Sequence, residues 1–359
     1  MSFDRNLPYN QLPLLPPQEE LETKAVLRQA VSSSRALAEL KGAGDLIPNQ
    51  SLLLTTLALK EAKISSEIEN IVTTNDELYQ AYTNEDFNHS SATKEVLHYN
   101  DALWFGYNAL LANRPLSTRL FEEIGQIIKP TSGGIRKLPG TKIANSNRDT
   151  IYTSPEGEHA IRDLLSNLEN FLYDVSGIDP LIKMAVMHYQ FEAVHPFTDG
   201  NGRTGRILNI LYLVEEKLLN LPILYLSSYI IENKAGYYHG LQQVTEEKNW
   251  EGWILYMLKA VEQTATNTKN KIVEIQQLIE KTGERIRAEK PKLYSKDLLE
   301  LLFRQPYCKI KFLEQEGIAA RETASNYLKQ LEEIGLLKGT KRGREWYYLN
   351  VPFFELLTK

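Results

Sequence analysis

Apolar side chains recur at three- and four-residue intervals along most of this 359-residue chain, the spacing that gathers them on one face of an α-helix. After an arm carrying Pro8, Pro13, Pro16 and Pro17, the pattern predicts a helix over about residues 18 to 41, ended by Gly42 and Gly44, and a second over 50 to 71. Further helices are expected near 91 to 112, 116 to 128, 156 to 175 and 179 to 194, then near 203 to 216, 236 to 246 and 249 to 288. The last is long enough to act as a spacer. Between Gly133 and Pro155 the helical pattern breaks. There GGIRKLPGTKIANSNRDTIYTSP mixes glycine, proline and asparagine with short β-branched pieces, which suits a hairpin.

Pro291 marks a boundary. Beyond it KDLLELLF, KIKFLEQEG, ARETASNYLKQLEEIGLL and KGTKRGREWYYLN read as three helices and a basic two-stranded ribbon, the order of a winged helix-turn-helix. The expected fold is therefore mainly α. It divides into an N-terminal helical region (residues 1–90), a helical core with a hairpin (91–250), a long helix or linker (251–289) and the winged helix-turn-helix (290–359).

Composition narrows the class. Hydrophobic content of 42% and charged content of 24% are those of an ordinary globular chain, and no uninterrupted apolar run is long enough to span a bilayer. The N-terminus lacks the basic-then-apolar order of a secretory signal, and the single Cys308 rules out an internal disulfide, so a cytoplasmic location is expected. Six scattered histidines without H-E-x-x-H or paired-cysteine spacing argue against zinc. Net charge is −5, unevenly spread. Residues 290–359 hold 13 Lys+Arg against 9 Asp+Glu, a net of +4 that leaves −9 on the rest. That end is only mildly basic for a nucleic-acid binder.

The densest chemistry lies in residues 195 to 206, HPFTDGNGRTGR. Gly200, Gly202 and Gly205 fit G-x-G-x-x-G, but a dinucleotide fold needs a buried strand before it, and DPLIKMAVMHYQFEAVHPF has helical spacing instead. Asn201, Gly202 and Arg203 fall where a loop turns into a helix, so their backbone N–H groups lack intrahelical partners and can bind an anion. Glycines there let the backbone approach a phosphate. Arg203 and Arg206, one turn apart, can both reach a polyphosphate. Asp199 offers a hard oxygen for Mg²⁺ beside that cradle, and His195 an imidazole suited to general-base work at neutral pH. Phosphoryl or nucleotidyl transfer from Mg-nucleotide is the chemistry this combination serves.

The run resembles the signature of the Fic family, H-P-F-x-[D/E]-G-N-G-R-x-x-R, at every fixed position, and the resemblance extends over about residues 91 to 250. It implies a helical enzyme that moves AMP from ATP to a protein hydroxyl, with ATP as substrate and Mg²⁺ as cofactor. His195 would then be the base, Asp199 the Mg²⁺ ligand, and Gly200, Asn201 and Gly202 the anion hole. Arg203 and Arg206 would lie on the phosphate chain, with Thr204 and Gly205 completing the nucleotide-binding run. The hairpin near Lys142 to Thr153 would be the flap that aligns the target protein by strand addition. Tyr238 falls where relatives contact the nucleoside, and it reads equally well as an aromatic of a helix core. A subgroup resembling the Doc toxins phosphorylates instead and carries lysine in place of the second glycine of G-N-G. Here that position is Gly202, which favours AMP transfer.

Upstream, KISSEIENIV holds Ser65 and Glu69 four residues apart, on one helix face. Together with Asn70 they match the family's inhibitory motif, [S/T]-x-x-x-E-[G/N]. The resemblance implies that Glu69 pairs with Arg206 and withdraws the arginine needed by the γ-phosphate. Other readings stay open: a nucleotide-sensing winged-helix DNA-binding regulator, or an enzyme that removes AMP, with Glu69 positioning a water. For the first, Arg321, Thr323, Ser325, Asn326 and Lys329 could face a major groove while Lys338, Lys341, Arg342 and Arg344 reach phosphates. A protein partner for the winged helix is an equal alternative, and a homodimer is compatible with the sequence.

Overall fold

The helix before the glycine-rich run is buried on almost every side, and the fold is built around it. The computed structural model describes residues 3–45, 50–83, 89–131, 133–138, 141–144, 150–175, 177–342 and 345–358.

The N-terminal region contains α1 (Lys24–Asp45), α2 (Gln50–Ile68) and α3 (Asn75–Thr83). Before α1 the proline-rich arm lies against the rest of the chain: Asn167 Oδ1 accepts from Leu15 N at 2.8 Å and Gln190 Nε2 donates to Pro13 O at 3.0 Å. The first helix starts later than its apolar pattern suggests, where Thr23 Oγ1 accepts from Val26 N at 3.3 Å, and it runs through both glycines expected to end it. A Cβ at Gly44 would come within 3.0 Å of Ile223 Cδ1, so that glycine serves close packing inside the helix. The third helix was not anticipated, although Thr74, whose Oγ1 accepts from Glu77 N at 3.1 Å, begins it with a T-x-x-E capping sequence.

The core contains α4 (Ser91–Leu111), α5 (Thr118–Ile128), the antiparallel hairpin β1 (Lys142–Ala144) and β2 (Thr150–Thr153), α6 (Glu158–Leu172), α7 (Pro180–Val194), α8 (Asn201–Glu215), α9 (Leu226–Glu232) and α10 (Lys234–Glu247). Asp179 caps α7, accepting from Leu181 N at 2.8 Å, and Pro180 supplies the fixed φ of a first helical residue. From Leu181 to Val194 every residue but Glu192 is buried, the polar Lys183, His188 and Gln190 included. Helix α8 packs against it and against α4 and α5. The hairpin pairs Ile143 with Tyr152; its tip, residues 145–149, lies outside the described residues. Helix α9, for which the sequence pattern predicts no element, buries Leu226, Ser227 and Ile230 and packs on α2 and α11.

The long helix expected over 249 to 288 is α11 (Trp250–Glu289). It is packed along α1, α7, α9 and α10 and buries residues from Trp250 to Ile286, so it is not a free-standing spacer. The C-terminal region comprises α12 (Lys296–Arg304), β3 (Tyr307–Lys309), α13 (Ile310–Gln315), α14 (Arg321–Glu333), β4 (Leu337–Arg342), β5 (Glu345–Asn350) and α15 (Val351–Thr358). Its sheet has three strands in the order β3-β5-β4, one more than the predicted ribbon, with Tyr307 opposite Leu349 and Thr340 opposite Tyr347. Arg344 and the side chain of Arg342 lie outside the described residues. Among the described residues no helix is long and apolar enough to cross a membrane.

Candidate active site

The turn between α7 and α8 is held rigid by its own side chains. Asn201 Oδ1 accepts from Phe197 N and its Nδ2 donates to Phe197 O, both at 2.8 Å. The Phe197 ring lies against Gly125, where a Cβ would come within 2.7 Å of it. Gly200, with φ of 85°, makes the left-handed step into α8 that a side chain would resist. The first bond inside that helix runs from Thr204 N to Gly200 O at 2.9 Å. The N–H groups of Asn201, Gly202 and Arg203 therefore precede the helical ladder, the arrangement that attracts an anion.

An anionic group already faces this cradle. Glu69, in the turn that follows α2, brings Oε1 to within 2.4 Å of where a Gly202 Cβ would stand. The same oxygen accepts from Arg206 Nη2 at 2.9 Å. Arg206 is 1% exposed, and Ser65 engages it twice more: Oγ accepts from Nε at 2.8 Å and the carbonyl accepts from Nη2 at 2.9 Å. Burial alone would lower its pKa, but Glu69, Tyr237 and Glu192 hold it above its ordinary value. Asn70, directly after Glu69, turns the chain left-handed with φ of 61° and donates its N–H to Glu67 O at 3.0 Å.

His195 closes α7 as a left-handed cap with φ of 49° and ψ of 60°, a costly conformation for a non-glycine residue. Burial and then the nearby Arg136 push its imidazole down to about 4, opposed by Glu69 and Asp199, so the ring is neutral at physiological pH. Beside it the Glu192 carboxyl is pushed up to about 7 by burial, with Arg206 easing the shift. The two residues share a cavity of about 160 Å³ with Glu69, Gly202, Arg206 and Tyr238. Tyr152 and Ile143 of the hairpin line it too, and Phe3 of the arm stacks on Tyr152 with ring centroids 6.0 Å apart.

Asp199 lies at the other side of the turn, half exposed. Burial would raise its carboxyl, but Lys129 at 3.1 Å and Arg203 at 3.5 Å hold it below the usual range. An ionised lone carboxylate beside a phosphate cradle fits Mg²⁺, which takes one or two protein oxygens and completes its shell from phosphate and water. Among the described residues no group of three or more His, Cys, Asp or Glu could hold a metal without that help.

Some residues of the run point elsewhere. Arg203 is fully buried and its Nη1 donates to Glu95 Oε2 at 3.0 Å, which in turn shares Lys129. Thr204 Oγ1 bonds Gly200 O at 2.9 Å, and a Cβ at Gly205 would come within 2.6 Å of Glu192 Oε1. Neither residue lines the cavity. Arg136, Glu95, Lys129 and Glu192 were not anticipated as site residues. They stand far from the run in sequence or inside a helical pattern, where a lone charge such as Glu192 reads as no more of a signal than Lys183 on the same helix.

The chain is similar to known proteins in sequence and in fold. The Fic/DOC family profile matches residues 114–213, the Fic/DOC family N-terminal profile residues 27–108, and a profile described as "Protein adenylyltransferase SoFic-like, C-terminal domain" residues 278–353. A probable protein adenylyltransferase, aq_aa38, of Aquifex aeolicus is 40% identical over 77 residues, covering 21% of this chain and 24% of that protein. Protein adenylyltransferase fic-1 of Caenorhabditis elegans is 36% identical over 149 residues, 41% of this chain and 28% of that protein. The chain thus spans about a quarter of the length of these curated relatives. A Fic family protein from Desulfovibrio desulfuricans G20 has the same fold at 18% identity and a TM-score of 0.59, over 93% of this chain and 98% of that one. With the HPFTDGNGRTGR turn, its cradle and the matching profiles on either side, the chain belongs to the Fic/DOC family.

Proposed function

We propose that this chain transfers AMP from ATP to a hydroxyl side chain of a target protein, and that Glu69 restrains the transfer from within the same chain. The observation that carries the reading is the Glu69 carboxylate facing the α8 N-terminus and paired at 2.9 Å with Arg206. A carboxylate there stands where a phosphate oxygen would, on an arginine that phosphate would also claim. The names of the relatives, adenylyltransferases, support the reaction class.

In the reaction, the target's hydroxyl oxygen forms a bond to the α-phosphorus of ATP while the bond to the β-phosphate breaks and pyrophosphate leaves. His195, neutral and therefore able to accept, takes the hydroxyl proton. The N–H groups of Asn201 and Gly202 hold the phosphates, and Arg206 grips the chain's end once Glu69 withdraws. Asp199 would hold Mg²⁺, which when bound neutralises phosphate charge. The target docks by strand addition to the β1–β2 hairpin, and Tyr238 borders the nucleoside. We assign this work to the cytoplasm, where the lone buried Cys308 thiol is under no demand to pair. The winged helix binds a further partner, DNA or protein.

Incubating the wild type and a Glu69→Gly variant with α-labelled ATP and a cell lysate tests the reading. Label should enter protein strongly with the variant and weakly with the wild type. No incorporation by either protein would refute it.

A further inference from the structure

Arg136 belongs to the segment before the hairpin, and its side chain is 2% exposed. One guanidinium bridges two parts of the site. On one side Nε donates to His195 O at 2.7 Å and Nη2 to Val194 O at 3.1 Å. On the other, Nη2 donates to Ser154 Oγ at 2.9 Å and to Pro155 O, directly after β2. The Arg136 N–H adds a bond to Pro196 O at 2.9 Å, and Ser154 ties back to Thr141 O at 3.0 Å, just before β1. Three consecutive carbonyls around a left-handed histidine are thus fixed to the base of the hairpin through one residue.

We infer that Arg136 is a positioning residue that sets the register between the target-docking hairpin and the His195 imidazole, so that a hydroxyl aligned by one arrives at the other. The inference rests on the proposed AMP transfer. Its physical content is geometric: a left-handed backbone at His195 costs energy and persists only if its surroundings hold it, and the planar fork of arginine can span acceptors on both sides where a lysine ammonium cannot. Proximity effects make transfer sensitive to displacements of about an ångström.

The charged groups around the imidazole are Arg136 itself, Glu69 from the turn after α2, Asp199 and Glu192 from its own loop and helix, and Arg206 from α8. Tyr152 of the hairpin, Tyr189 of α7 and Tyr237 and Tyr238 of α10 are the phenols lining the same cavity. Arg136 is the foremost of these charges in keeping the ring neutral. Losing its charge should therefore raise the His195 pKa, whereas lysine should keep it low.

The test uses the full chain carrying Glu69→Gly, with Arg136→Met or Arg136→Lys added. Three quantities are read: entry of α-labelled AMP into the chain itself, affinity for α,β-methylene ATP, and the titration midpoint of the His195 ring by NMR. Both additions should slow AMP transfer by about thirtyfold or more while leaving the analogue's Kd within about twofold. The midpoint should rise in the Met variant and stay low in the Lys variant, separating charge from register. The inference is overturned if the Lys variant transfers within about threefold of its parent, if analogue binding falls in step with transfer, or if the midpoint is unmoved in the Met variant. Should the parent itself transfer no AMP, the proposed function fails, and the ring titration still decides whether Arg136 acts on His195.

Discussion

Arg206 Nη2 lies 2.9 Å from Glu69 Oε1, and the two residues stand 137 positions apart in the chain. The contact joins the cradle motif to the helix region that precedes the core. Arg206 is buried while the Glu69 side chain is 37% exposed, so the pair is asymmetric. The carboxylate can move out into solvent at little cost, but the arginine cannot follow it and must find another anion. A phosphate chain entering the cradle is such an anion.

His195→Ala should abolish AMP transfer, by on the order of a hundredfold or more, and spare ATP binding, which calorimetry with a non-hydrolysable analogue would check. The wild-type pH profile adds a second readout. Because the folded-state pKa is lowered from 6.5 to about 4, the neutral base persists on acidification and is lost only as pH falls through about 4. A rate that instead declined near 7 would implicate Glu192, whose carboxyl is pushed up to about 7.

Asp199→Ala should remove the dependence of rate on Mg²⁺ concentration and lower activity by roughly a hundredfold. The fold should survive, since Lys129 and Arg203 keep Glu95 as a partner at 2.9 and 3.0 Å. A titration of rate against Mg²⁺, with thermal unfolding alongside, checks both. An unchanged metal dependence would remove Asp199 from the metal site.

Gly202→Lys gives opposite expectations for two accounts of the cradle. A Cβ there would stand 2.4 Å from Glu69 Oε1 and 3.0 Å from Arg206 Nη1. If displacing Glu69 were its main effect, activity would rise. We expect it to fall by about tenfold or more in both the wild-type and Glu69→Gly chains, because the same bulk closes the anion hole.

The winged helix should bind duplex DNA weakly and only at low salt. Lys338 and Lys341 are exposed, but Lys309 is neutralised by Glu345 at 2.8 Å and Glu322 sits in the first turn of α14. Few phosphate contacts imply a shallow salt dependence. A mobility-shift series with the full chain checks this, and no shift at low salt would favour a protein partner.

The helices were legible because their apolar period is strong, and the cradle because its chemistry is packed into twelve consecutive residues. What the sequence hid was held together across distance. Strand β3 is only three residues long, too short for a period to register. Helix α9 lies in an apolar stretch for which the sequence pattern predicts no element. Arg136 follows a glycine pair, where a basic residue reads as a surface charge, and its role rests on a hydroxyl and carbonyls 18 to 60 positions away. The arm shows the same limit. Its prolines predicted no helix, but nothing in them foretold that Tyr9 N would reach Thr153 O, at the end of β2, at 3.0 Å.

The central claim is that Glu69 restrains the enzyme through Arg206, and a double-mutant cycle read by α-labelled AMP incorporation tests it most directly. Four chains are needed: wild type, Glu69→Gly, Arg206→Ala and the double variant. Freeing the arginine should raise transfer roughly tenfold to a few hundredfold, the size of one restored charge-assisted contact. In the Arg206→Ala background the Glu69 substitution should change the rate little, so the two effects are strongly non-additive. An equal gain from Glu69→Gly with and without Arg206 would show that the carboxylate acts by blocking access alone, and would contradict the account.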